Sequence, residues 1–116
     1  MTIQRLHVGP TLSEVAIHNG TVYLAGQVAD DISQDIGGQT REVLGHVDRL
    51  LMAAGSDRSR ILMCQIYLRD LADFAAMNAV WNAWVVPGAT PPRATVQAAL
   101  VKPEWRVEVV VTAAQK

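Results

Sequence analysis

An arginine and a glutamate fifteen positions apart, Arg93 and Glu108, are the side chains of this sequence best suited to chemistry. Arg93 opens an apolar run directly after Pro91-Pro92, so rigid backbone sets its direction. Its guanidinium is always charged and offers a planar fork that matches a carboxylate. Glu108 sits between Val107 and Val109 in what reads as a central strand. Carboxyl groups buried without full pairing titrate closer to neutrality, the range useful for moving protons to and from water. On spacing alone, the plainer reading of the pair is a salt bridge or two surface charges on a sheet.

Other reactive residue types carry less. His7, His18 and His46 are scattered, with no second ligand at metal spacing, so no metal site is expected. Cys64 lies in an apolar run and reads as an inert core thiol, since nothing beside it would depress its pKa. A lone cysteine also excludes an internal disulfide framework. Gly37-Gly38 lacks the Gly-Lys-Ser/Thr ending of a phosphate loop, and no Gly-x-Ser-x-Gly elbow occurs. Trp81, Trp84 and Trp105 could wall a ligand, although the first two, at helical spacing, read as core.

The elements that must position Arg93 and Glu108 follow from periodicity. Residues 3–8 suggest a short first strand. Over residues 14–25, Asn19-Gly20 divides two alternating runs and predicts a type I′ hairpin, because both turn residues must tolerate positive φ. That turn sets Ile17 against Val22 and Val15 against Leu24 on one side, with Ala16 and Tyr23 on the other. Residues 35–54 change to helical period, with Val43, Val47, Leu50, Leu51 and Ala54 on one stripe and Gly55 at the C-cap. The Gly37-Gly38 pair leaves the start of this helix open.

Residues 60–68 read as a buried strand. Asp70 is placed to cap a second helix with Asp73 in its first turn and Leu71, Phe74, Asn78, Trp81 and Trp84 or Val85 on its stripe; Pro87-Gly88 ends it. Strands at 93–100 and 106–112 follow, the second with Val107, Val109 and Val111 on one face. Helices separated by single strands predict an α+β fold, a mixed sheet with both helices on one face. The other face is too apolar for full solvation, so self-association through it is expected.

The 116 residues form one domain, 1–116, long enough for a core without metal or disulfide help. Half the residues are hydrophobic and 18% are charged, against disorder. Ten basic and eleven acidic residues give a net charge of -1, and the lysines number only Lys102 and Lys116, so no groove for nucleic acid and no patch for an anionic membrane is expected. The first seven residues lack the basic and apolar segments of a signal peptide, and no apolar stretch nears the ~20 residues of a membrane span. A cytoplasmic protein is the expectation.

Taken in order, several segments resemble the RidA (YjgF/YER/UK) family of reactive enamine and imine deaminases. His18-Asn19-Gly20 with Val22 to Gln27 is similar to the family's glycine-asparagine hairpin ending in Ser-Gly-Gln. Gln39-Thr40 through Ala53-Ala54-Gly55-Ser56 resembles its first helix. Leu68-Arg69-Asp70 with Asp73-Phe74 and Asn78 resembles its Asp-x-x-Asp-Phe-x-x-x-Asn element, and Pro92-Arg93-Ala94-Thr95-Val96 and Val107-Glu108-Val109 its last two strands.

The resemblance, which runs over about 13–112, implies a chorismate-mutase-like fold and a homotrimer with a barrel-like core of sheets and ligand clefts between subunits. It implies that Arg93 holds a substrate carboxylate, that Glu108 positions or activates water, and that the Thr95 carbonyl helps orient it. Ala25 and Gly26 would line the cleft, and no cofactor would be needed. The reaction would be hydrolysis of a 2-imino or enamine acid to a 2-oxo acid and ammonia. Two positions depart from the pattern: Ala25 stands where the family has serine, and Leu12 falls near the place of a tyrosine. A non-catalytic trimer binding a small carboxylate metabolite is the alternative.

Overall fold

The structure, a computed structural model, describes residues 2–116. Its elements run β1 (Gln4–Val8), β2 (Ser13–His18), β3 (Thr21–Leu24), α1 (Ile36–Ala53), β4 (Ile61–Leu68), α2 (Phe74–Trp84), β5 (Arg93–Gln97) and β6 (Val107–Ala114). The six strands form one sheet in the order β1-β2-β3-β6-β4-β5. Only β4 and β5 are parallel, because α2 carries the chain back between them; every other neighbouring pair is antiparallel. Strand β6 is therefore central, and β5 is an edge.

The hairpin forms in the expected register, Val15 opposite Leu24 and Ile17 opposite Val22. Asn19 and Gly20 both take positive φ, 52° and 76°, as the tight turn requires.

Helix α1 starts where a side chain stops the ambiguity of Gly37-Gly38: Asp35 caps it by accepting from the Gly38 amide at 2.9 Å. It ends in a Schellman motif, with Gly55 at φ 78°, the Ser56 amide donating to the Leu51 carbonyl and the Gly55 amide to that of Met52. Val43, Leu44, Val47, Leu50 and Leu51 are buried against the sheet. From the sheet come Val15, Ile17, Val22, Leu24, Cys64, Ile66, Leu68, Val107, Val109 and Val111. Both helices thus lie on one face. The other face carries Tyr23, Met63, Val96 and Glu108, and the first three are at least 40% exposed.

Around α2 the structure corrects the sequence reading. Asp70 caps a single 3-10 turn, Leu71–Asp73, rather than the helix itself, and Asp73 forms an ion pair with Arg106 at 3.6 Å. The buried stripe of α2 is Met77 and Trp81; Leu71 and Phe74 are exposed. The stripe was misplaced because the 3-10 turn, with its tighter winding, breaks the helical phase at residue 73. Strand β5 also stops at Gln97, short of the expected Leu100, since the Arg69 guanidinium takes up the Leu100 and Lys102 carbonyls and bends the chain away.

Candidate functional site

Glu108 lies opposite Tyr67 in the β4–β6 ladder, between Val107 and Val109, which are buried on the helix side. Alternation along a strand puts Glu108 on the open face. Its carboxylate rests against Gly26, in the segment that follows β3. A Cβ at Gly26 would come within 2.1 Å of Glu108 Oε2, so only glycine admits the carboxylate there. The segment is held beside β6 by two main-chain bonds between Gln27 and Val109, of 2.8 and 3.0 Å. Ala25 precedes Gly26, with its amide on the Glu14 carbonyl and its own carbonyl accepting from Gln27 Nε2. Glu108 and Gly26 are thus adjacent in space, with Ala25 next to Gly26 in the chain. Leu12 is exposed in the β1–β2 turn.

Arg93 belongs to a different surface. It pairs with Cys64, a core-facing residue of β4, and so points to the helix side of the edge strand. There its Nη1 donates to Asn78 Oδ1 at 2.7 Å, and its guanidinium lies 5.1 Å from the Trp81 ring centre and 5.8 Å from that of Phe74. Thr95, two residues on, shares this face, and its hydroxyl is buried with no hydrogen-bond partner among the described residues. Asn78, Trp81 and Phe74 were legible only as a helical stripe; nothing in their spacing says that they cradle an arginine.

The two charged groups therefore occupy opposite faces of one sheet; of the two plain readings that spacing allowed, the salt bridge does not form, and they are separate charges on a sheet. No ion pair among the described residues involves either of them. One half-site is a cation with three of its sides fixed by α2. The other is an accessible carboxylate set over a glycine.

Neither the lone cysteine nor the histidines join these half-sites. Cys64 is buried, and burial pushes its thiol up to about 12. His46 lies 3.1 Å from Glu42 and 3.3 Å from Asp30, a cluster missed in the sequence because Asp30 comes from a loop. Glu42 is the hub of that loop, accepting from the amides of Asp30 and Asp31 and from Gln34 Nε2. The Asp30 amide, first among these, lowers the Glu42 pKa. Among the described residues, no helix is long and apolar enough to cross a membrane.

Residues 2–115 match the family profile described as Endoribonuclease L-PSP. A RutC family protein of Haemophilus ducreyi is 48% identical over 112 residues, covering 97% of this chain and 96% of its own. The crystal structure of a YjgF-family protein from Neisseria meningitidis superposes with a TM-score of 0.98 at 44% identity, covering 100% of this chain and 97% of that one. An uncharacterized protein from Pseudomonas aeruginosa gives a TM-score of 0.97 at 46% identity, over 99% and 100% of the two chains.

Proposed function

The chain belongs to the Endoribonuclease L-PSP family, that of the YjgF/RidA proteins, and on that premise we propose that it hydrolyses reactive 2-imino acids and their enamine tautomers to 2-oxo acids and ammonia. The observation that carries the reading is the pair of unmatched charges. Arg93 is a fixed cation with no carboxylate partner among the described residues, and Glu108 is an accessible carboxylate with no cation.

In the reaction, Arg93 binds the substrate carboxylate through its fork, which fixes the imine carbon in the cleft. Glu108 takes a proton from a water held beside Gly26, with the Thr95 carbonyl helping to orient it. The water oxygen adds to the imine carbon, the proton held by Glu108 passes to the nitrogen, and the new hydroxyl gives up its proton, which also ends on the nitrogen, as the C–N bond breaks to release ammonia and leave the 2-oxo acid. The change is redox-neutral and consumes only water. A sheet that separates the two groups within one chain supports a homotrimer in which the apolar open faces pack together and each cleft takes Arg93 from one copy and Glu108 from the next.

A second reading, a trimer that binds a small carboxylate without turning it over, is favoured by one observation. Position 25 offers a methyl and position 12 an isobutyl group where the family supplies hydroxyls.

The test is release of ammonia and 2-oxo acid from a panel of enzymatically generated 2-imino acids, wild type beside Arg93→Ala. Acceleration by the wild type alone is expected. An Arg93→Ala protein as active as the wild type overturns the deaminase reading, and binding of 2-oxobutyrate with no acceleration on any imine moves the assignment to the second.

A further inference from the structure

Trp105 stands three residues before Glu108 and serves neither half-site directly, yet its amide, its carbonyl and its indole nitrogen are all engaged. Its indole Nε1 donates to the Ala29 carbonyl at 3.1 Å. Ala29 is buried, three residues beyond Gly26, at the point where that segment leaves β6. A ladder continued from the Gln27–Val109 bridge would need main-chain partners here, and the indole takes their place.

The backbone of Trp105 is held in turn from two other elements. Gln39, fully buried in the first turn of α1, donates to the Glu104 and Gln34 carbonyls and accepts from the Arg106 amide at 2.9 Å. Arg69, at the end of β4, donates to the Trp105 carbonyl at 3.0 Å.

We propose that Trp105, anchored by Gln39 and Arg69, is a positioning residue that clips the Gly26–Ala29 segment to β6 and so fixes where the Glu108 carboxylate sits. The inference rests on the deaminase reading for its catalytic meaning. The clip itself is a property of the fold. Trp105 bonds to the segment that carries Gly26, whereas Arg93 is held by Asn78, Phe74 and Trp81 of α2, none of which bonds to Trp105.

Trp105→Phe keeps the ring and removes the donor. In the full-length protein we expect amide exchange at Gln27 and Val109 to quicken about tenfold, and kcat to fall about tenfold, since sub-ångström displacement of a catalytic group costs that much. The KM for the imino acid, set by Arg93, stays within about twofold. Gln39→Met, which removes the anchor, gives the same exchange pattern and the same split. A folded Trp105→Phe protein with unchanged exchange at both amides overturns the inference, as does an equal rise of KM with the fall of kcat. If the wild type accelerates no imine, the deaminase reading fails by itself. The clip is then judged by exchange alone, with faster exchange at Gln27 and Val109 sustaining it and unchanged exchange removing it.

Discussion

The Arg93 guanidinium and the Glu108 carboxylate point to opposite faces of one sheet, the first 2.7 Å from Asn78 under α2, the second against Gly26 on the open side. The two residues pair with Cys64 and Tyr67 of the intervening strand β4, an odd number of positions apart, so their side chains leave the sheet on opposite faces. Two copies can do what one cannot. On the proposed reading, the oligomer is part of the site rather than a setting for it.

Subunit mixing follows directly. Arg93→Ala and Glu108→Gln are each expected to be inactive as pure trimers. Co-expressed in equal amounts, they should give mixed trimers with roughly a third of wild-type activity, because each such trimer holds one cleft of three in which an intact Arg93 meets an intact Glu108 from the neighbouring copy. The assay is imine hydrolysis by mixed trimers isolated through two different tags. Activity no higher than that of either parent would place both residues in one chain's site and contradict the sheet.

Gly26→Ala disturbs the carboxylate while keeping both charged residues in the sequence. Its methyl would stand 2.1 Å from Glu108 Oε2 and 2.9 Å from Cδ, so the carboxylate must move. We expect kcat to drop at least ~10-fold with KM little changed. In a Gly26→Ala, Glu108→Gln double variant the losses should not add, because both act through one carboxylate. Additive losses would mean that Gly26 acts elsewhere.

The sheet, its central hairpin and the α1 stripe were legible because local rules and global packing agree there: Asn19-Gly20 demands one turn, and that turn sets one register. Arg93 and Glu108 were legible as residue types, the one after a proline pair and the other a charge among valines. Their separation was not, since it depends on the pairing of Cys64 with Arg93 and of Tyr67 with Glu108 across β4. The burial of Met77 was missed because the 3-10 turn at Leu71–Asp73 shifts the helical phase. The role of Gln39 was hidden for a different reason: its partners lie 65 and 67 positions away.

Acid should loosen the loop that carries Gly26 into α1. The Asp30 amide, with help from that of Asp31 and from His46, lowers the Glu42 pKa below its ordinary 4.5. A depressed carboxylate pKa means that the folded state holds the proton less tightly than the unfolded chain. The stabilisation is therefore complete above 4.5 and is lost as pH falls through the folded value. Thermal melts across this range should show a steeper acid limb for the wild type than for Glu42→Gln. The two curves should converge once the pH lies below the folded value. Parallel acid limbs would show that the carboxylate does not pin the loop.

Cys64 carries the opposite sign. Burial pushes its thiol from 9.0 up to about 12, against a smaller downward pull from Arg93, the residue paired with it on β5. The folded protein therefore keeps the proton where the unfolded chain releases it. Stability from this group is intact below 9.0 and declines as pH rises toward the folded value. With the thiolate absent and the sulfur enclosed, iodoacetamide should leave Cys64 unmodified at pH near 8 in the native protein and modify it promptly in denaturant. Cys64→Val should flatten the alkaline limb of the stability curve while leaving Arg93 able to bind a carboxylate. Rapid native alkylation would instead mean that the floor under Arg93 opens, and that the cation is less firmly fixed than its contacts with Asn78 and Trp81 require.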